Sequence, residues 1–267
     1  MAEFTTTERL YTLVNEKIAD TPIFFLNHGY SPSYAEFEGM PFKHQLSLYK
    51  KCIEGIDLDN KTVLEVGCGR GGGSKWISEN YNVDMHGCDI TPSSIDICKL
   101  NEKDNLHYKF GRADNLPYEA ESIDVLISIE ASQSFDDLGV FFEEAYFKIK
   151  EGGKIVVMDV CGITERAIAN NLKSFEKYKE IAEMRFKDVQ IELVTDNVKE
   201  ACRQDVELMQ QYVENPEVAE FMSQISGESY KRYNNGHRGY FKLTGTRSSE
   251  DYDLIGDWSS VYAKLLS

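Results

Sequence analysis

The chain has 267 residues, 42% of them hydrophobic and 28% charged, a globular balance with room for one large core and an appendage. A net charge of −16, from 29 basic against 45 acidic residues with no arginine-rich stripe, would repel a phosphate backbone and excludes a general nucleic-acid binder. No run approaches the roughly 20 apolar residues of a membrane helix, and the acidic start (Glu3, Glu8) lacks a signal-peptide pattern, so a cytoplasmic protein is expected.

Thr5 and Glu8 stand in capping-box spacing before a helix expected from Glu8 to Ala19, which Thr21-Pro22 ends. An aromatic loop follows, and then a second helix, on which Phe42, Leu46, Tyr49, Ile53 and Ile56 recur at helical steps. From Lys61 the pattern alternates. Strands are expected at Thr62–Val66, Val83–Cys88, Leu106–Phe110, Ser122–Ile129 and Lys154–Val160. The helices between them are Lys75–Tyr81, one beginning at Pro92 after the cap Thr91, and Leu138–Ile149. Alternation of this kind implies a doubly wound, mostly parallel α/β sheet of Rossmann-like type. Beyond Gly162 helices are expected at Thr164–Glu183, Asp196–Val213 and Glu217–Tyr233, with strands at Val189–Val194 and Trp258–Leu266. The chain therefore divides into an N-terminal helical lid (1–58), a cofactor-binding core (59–162) and a helical substrate cover with closing strands (163–267). Oligomeric state is open, a homo-oligomer included.

The six cysteines contain no C-x-x-C pair, and no histidine stands at zinc-ligand spacing. They are expected to be buried thiols in a reducing compartment, and no metal is expected.

The strongest motif is the glycine-rich turn after the first core strand, Glu65-Val66-Gly67-Cys68-Gly69-Arg70-Gly71-Gly72-Gly73. Glycines there let backbone approach a ligand. Glu65 lies two residues before Gly67, and Asp89 lies 22 residues after it, where the second strand should end. An acid about 20 residues on can accept from ribose hydroxyls. A carboxylate beside a pyrophosphate would be unfavourable, whereas a cationic sulfonium and ammonium suit an acidic strand end. The G-x-G-x-G spacing from Gly67 also departs from the dinucleotide pattern, which weighs against a nicotinamide-dependent oxidoreductase.

Taken with Gly87-Cys88-Asp89-Ile90, Gly111 to Tyr118, Leu126 to Ser132 and Leu138 to Asp159, the chain resembles the class I S-adenosylmethionine-dependent methyltransferases over about 100 residues. The resemblance implies that Gly67, Cys68, Gly69 and Gly71 lie against the methionine part of the cofactor and that Glu65 orients their loop. It places Asp89 on the ribose, Ile90 on the adenine, and Asp114, flanked by Ala113 and Asn115, at the adenine amino group. Ile129 and Glu130 would line the pocket. His28-Gly29-Tyr30 is similar to a segment that folds over the cofactor, with Tyr30 as the contact. Phe42-Lys43-His44-Gln45, Arg70 to Gly73 and Glu130-Ala131-Ser132 extend the likeness to natural-product and lipid methyltransferases, the phthiotriol and phenolphthiotriol dimycocerosate enzymes among them.

The expected function is methyl transfer to a small, hydrophobic acceptor, with oxygen favoured over nitrogen or carbon. An alcohol must lose its proton, so a base is needed. Asp159 at the end of the fifth strand is the first candidate, with Glu130 and His237 as alternatives. Some relatives have a histidine where Gln133 stands, and glutamine cannot take that proton. A protein methyltransferase or a non-catalytic cofactor-binding module remains the other reading.

Overall fold

A strand buried on both faces must lie inside a sheet covered on both sides. In the computed structural model, which describes residues 6–248 apart from 20, 22, 170 and 171, β4 (Ile123–Ile129) is such a strand. Only Asp124 and its carboxylate reach the edge, where it accepts from the Thr62 amide at 2.9 Å. β4 runs parallel to β1 (Lys61–Val66) on one side and to β5 (Ile149–Gly162) on the other. β2 (Val83–Asp89) and β3 (Leu106–Phe110) extend the parallel sheet beyond β1. β6 (Phe186–Leu193) and β7 (Arg238–Arg247) complete the order β3-β2-β1-β4-β5-β7-β6, with β7 antiparallel to both neighbours. The chain winds outward from β1 and then returns to start β4 beside it. Their carboxyl ends therefore diverge, and a crevice opens there.

Side chains alternate across the sheet and feed two cores. Val156, Met158 and Val160 of β5 face the layer that holds α2 (Lys43–Ile53), α3 (Gly72–Asn80) and α4 (Pro92–Lys99). Ile155, Val157 and Cys161 face α5 (Leu138–Lys148) and α7 (Phe175–Glu183). All six cysteines are free and buried.

A third cluster caps the carboxyl ends of the strands. α8 (Thr195–Tyr212) and α9 (Pro216–Asn234) form a helical hairpin whose Met209, Val213, Val218 and Met222 enclose Ile18, Ile23 and Phe42 of the N-terminal segment. Two polar ties hold α2 in this arrangement. His44 Nδ1 and Gln45 Nε2 each lie 2.6 Å from the Asp205 carboxylate of α8, and all three side chains are buried. At the other end of α2, the buried Lys242 ammonium donates to the carbonyls of Lys51 and Glu54 at 2.8 and 3.2 Å. A cation there satisfies terminal carbonyls and complements the helix dipole.

The structure differs from the sequence reading in three places. The segment expected as one helix over Thr164–Glu183 is two, α6 (Glu165–Ala169) and α7, with Ser174 capping the second by accepting from the Lys177 amide. β5 begins at Ile149 rather than Lys154, so Gly152, at φ +75°, lies within it. The closing strand is β7, in a segment where no strand was expected. Its burial is nearly continuous, so no period-two signal marks it, and its lysine is buried because it caps α2. The expected strand Trp258–Leu266, the Thr5 cap and Pro22 lie outside the described residues. The first helix, α1, runs Thr6–Lys17. Among the described residues no helix is long and apolar enough to cross a membrane.

Replacing Asp205 with alanine leaves the His44 and Gln45 groups buried without their acceptor. A loss of about 1–3 kcal/mol per orphaned group is expected, read as a lower urea midpoint at unchanged m-value.

Candidate functional site

The turn after β1 is shaped by what cannot fit. A Cβ on Gly67 would lie 2.2 Å from that of Ala131, which follows β4, and Gly67 holds φ +80°. Gly69, at φ +52°, has open space where a Cβ would point, and it lines the crevice with Gly67 and Cys68. Gly71 is turned the other way, toward Tyr108 and Cys98, and does not line it.

Glu65 is fully buried beneath this turn. It accepts from the Tyr49 hydroxyl at 2.6 Å and from the Ser74 hydroxyl. It does not line the crevice itself; it fixes Tyr49, which does, and the first turn of α3. Burial pushes its carboxyl up to about 7 against those two hydrogen bonds. Asp89 does line the crevice, and its two oxygens take the amides of Thr91 and Gly69, each at 2.8 Å. Burial raises its carboxyl, and the two amides oppose that rise. Ile90, Ala113 and Ile129 line the same space. Asp114 does too, with its carboxylate gripped by Arg112 at 2.9 and 2.8 Å and held below the usual range. Asn115 lies outside the lining, bridged to Arg112 through its backbone.

At the end of β4 the backbone turns through Glu130, at φ +54°. Glu130 Oε1 accepts from the His28 amide at 2.8 Å and from the Tyr240 hydroxyl at 3.0 Å. Its Oε2 lies 3.5 Å from His28 Nδ1. That nitrogen is also 2.9 Å from the Tyr233 hydroxyl, while Nε2 is 3.0 Å from the Ser229 hydroxyl. Burial pushes Glu130 up to about 7. His28 is pushed down to about 4, by burial first and then by Arg238 and Arg232. Glu130, His28, Ser229 and both arginines line the crevice.

The remaining residues singled out from the sequence are placed elsewhere. Asp159 is fully buried behind the crevice, accepting from the Ser132 hydroxyl and from the amides of Gln133 and Val160 at 2.6, 2.9 and 2.7 Å. It holds the loop after β4 and does not line the crevice, so it is a structural carboxylate and not the base expected of it. Gln133 lines the space. His237 is exposed at the start of β7, 3.3 Å from the Thr164 hydroxyl and outside the lining. Tyr30 points away from the crevice, its ring stacked 6.3 Å from that of Tyr34 and its amide on the His44 carbonyl. Gly29, at φ +82°, turns the chain so that His28 faces inward and Tyr30 outward. Sequence reasoning passed over His28 because its partners stand 102 to 205 residues away.

α1 covers the opening. Asn15 donates to the Ser93 and Ser94 hydroxyls of α4 at 3.0 and 2.9 Å, and its carbonyl oxygen takes Nη1 of Arg70 at 3.4 Å. The enclosed cavity measures about 510 Å³, within the range of small-molecule sites. Its donor set fits a zwitterion carrying a ribose: Asp89 for hydroxyls, open backbone at Gly69, and a buried Arg70 Nε that has no partner of its own for a carboxylate. Among the described residues no cluster of three or more His, Cys, Asp or Glu side chains could hold a metal.

Residues 64–157 match the family model described as Methyltransferase domain. A phthiotriol/phenolphthiotriol dimycocerosates methyltransferase of Mycobacterium leprae is 31% identical over 157 residues, covering 56% of this chain and 58% of that protein. A fatty-acid O-methyltransferase of Mycolicibacterium smegmatis is 26% identical over 159 residues, covering 56% of this chain and 57% of its own. The match thus spans less than two thirds of these relatives. The structure of a geranyl diphosphate C-methyltransferase from Streptomyces coelicolor, bound to Mg2+, geranyl diphosphate and S-adenosyl-L-homocysteine, superposes with TM-score 0.69 at 16% identity. That superposition covers 92% of this chain and all of that one, and it shows a shared fold. The resemblance to class I methyltransferases is borne out: the segment 64–157 matches a methyltransferase domain, and it lies on a Rossmann-like sheet.

Glu65, Glu130 and Asp159 are each raised to about 7. The folded protein keeps protons that the unfolded chain releases near pH 4, so this contribution to stability is full below about 4 and is lost as pH rises through about 7. His28, depressed to about 4, acts in the opposite sense between about 6.5 and 4, but as one group against three. The melting temperature should therefore fall from pH 5.5 to pH 8. Asp159→Asn should melt lower overall and show a shallower slope; a slope unchanged in that variant would contradict the assignment.

Proposed function

We propose that the chain is an S-adenosylmethionine-dependent methyltransferase that O-methylates a small, hydrophobic, lipid-like acceptor in a reducing, cytosolic compartment. One observation carries the reading: the glycine turn with Asp89 and the Glu130–His28 pair open into the same cavity. Bound S-adenosylmethionine supplies a methyl group already activated by its sulfonium. Asp89 would accept from its ribose hydroxyls, Ile90 would pack on the adenine, Asp114 would offer its free lone pairs to the adenine amino group, and Arg70 would take the carboxylate. Positioning supplies much of the rate of such a displacement, and α1, latched through Asn15, acts as the lid that excludes water.

The base in this reading is His28. Its pKa of about 4 leaves the imidazole neutral at pH 7 and free to take a proton. Nδ1 is occupied on the buried side by Glu130 and Tyr233, and Nε2 faces Ser229 at the cavity wall. When an acceptor hydroxyl is methylated it must give up its proton, which would pass to Nε2 of His28. Glu130 is the positioning residue that stabilises the imidazolium as it forms. Glu130 supports this as a carboxylate, so the rate should rise as pH climbs through about 7. The groups around Glu130 are His28, Tyr240 and Asp159, and Asp159 also sits at about 7.

S-Adenosylmethionine and S-adenosylhomocysteine, each at 100 times its dissociation constant, should stabilise the protein by about 2.7 kcal/mol, and NAD should not. Stabilisation by NAD alone would overturn the cofactor reading. His28→Ala should lower methyl transfer by roughly 100-fold or more at unchanged cofactor affinity. The limb near pH 7 should vanish in Glu130→Gln and survive in Asp159→Asn; the reverse pattern would return the role to Asp159.

A further inference from the structure

Two arginines stand in the cavity wall, and the acid that Arg232 acts on, Glu228, is ion-paired instead to Lys231. Arg232 lies in the last turn of α9 and Arg238 opens β7, with only a tight turn through Gly236, at φ +68°, between the two elements. Both line the cavity. Neither guanidinium has an ion pair or hydrogen-bond partner among the described residues, although the chain carries 45 acidic residues against 29 basic ones. Nearby cations are paired: Lys231 with Glu228 at 2.7 Å, and Arg203 with Glu200 at 2.7 Å. Burial, and then Arg232, depress Arg238, so the pair is held together against its own repulsion. Both cations also act on His28, whereas neither is among the groups that shift Asp89. They belong to the end of the cavity where the acceptor would sit.

The apolar surface of the same cavity completes the pattern. Leu10 of α1 and Ile225 of α9 line it while remaining 56% and 39% exposed, large apolar side chains kept at an opening. Phe221 and Met222 continue that wall. We propose that Arg232 and Arg238 form an anion subsite that takes the carboxylate or phosphate headgroup of an amphipathic acceptor, whose alkyl portion runs along Leu10, Phe221, Met222 and Ile225. Arginine forks match the planar or tetrahedral oxygens of such groups and bind them through charge-assisted hydrogen bonds. An anion there relieves the repulsion between the two guanidinium ions, and it lifts their pressure on the basicity of His28 when the acceptor arrives. The inference rests on the methyltransferase reading for the word acceptor, but the subsite stands on the arginines themselves.

The test is calorimetric binding of octanoate, octyl phosphate and octan-1-ol to the full chain, with and without saturating S-adenosylhomocysteine. Either anion should bind at least tenfold more tightly than the alcohol, and the tighter of the two identifies the headgroup. Arg238→Gln and Arg232→Gln should each remove most of that preference, while octanol and S-adenosylhomocysteine bind as in the wild type. Arg238→Lys, which keeps the charge on a more conservative frame, should retain part of it. Equal binding of octanol and both anions, or unchanged anion binding in both glutamine variants, overturns the subsite. Anion binding that depends on the arginines in a protein that ignores S-adenosylhomocysteine keeps the subsite and removes the cofactor reading.

Discussion

The carboxyl ends of β1 and β4 approach so closely at Gly67 and Ala131 that the first of these positions has room for no side chain. That contact sets the geometry of everything above it. It brings the turn carrying Gly69 and Arg70 beside the turn carrying Glu130, so that a single cavity is shared by the residues that fit a cofactor and by the His28 network. A sheet whose strands diverged without this pinch would leave the two groups facing separate solvent. The pinch also explains why the polar groups around it are carboxylates. A turn of this kind leaves amides without strand partners, and Asp89 and Asp159 take those amides in.

Glu65, Asp89, Glu130 and Asp159 sit within one small region, and each is buried or nearly so. Four carboxyls in such proximity would be costly if left unpaired. Each is met by a different kind of donor: hydroxyls for Glu65, amides for Asp89, an amide and a phenol for Glu130, a hydroxyl and amides for Asp159. Among the described residues no cation neutralises any of them through an ion pair, apart from the proton that His28 can carry. The region therefore keeps a surplus of negative character near the glycine turn, which suits a cationic sulfonium. The unpaired arginines act on His28 and not on Asp89.

The parallel core was legible because its strands are short apolar runs bounded by turn residues, and because the glycine turn and Asp89 follow β1 and β2 at a recognisable spacing. β7 was not, since a strand buried on both faces beside a helix terminus can carry Lys242 inward and still be stable, and a lysine in a strand reads as surface. In the site, Asp89 was legible from its spacing after the glycine turn, and Ile90, Ala113 and Asp114 from the family resemblance; all four line the cavity. Tyr30 and His28 could not be told apart from sequence, because which of them points inward depends on the left-handed turn at Gly29. Asp159 illustrates a different limit. The end of a strand places a residue near the crevice, but the neighbouring loop decides whether its carboxylate faces ligand or backbone, and here Ser132 and Gln133 claim it.

The Asn15 fastening has a consequence for traffic through the molecule. Asn15 fastens α1 to α4 and Arg70 with three hydrogen bonds, beside the Lys17–Glu217 pair and the packing of Val14 and Ile18 on the α8–α9 hairpin. Bonds of this kind are worth about 1 kcal/mol apiece after competition with water, so the polar share of the closure through Asn15 is a few kcal/mol. Lids held by contacts of this size open on the microsecond to millisecond scale. Entry and departure then share one gate with the event inside, and turnover can be governed by the hinge of the first helix as much as by the groups at its floor.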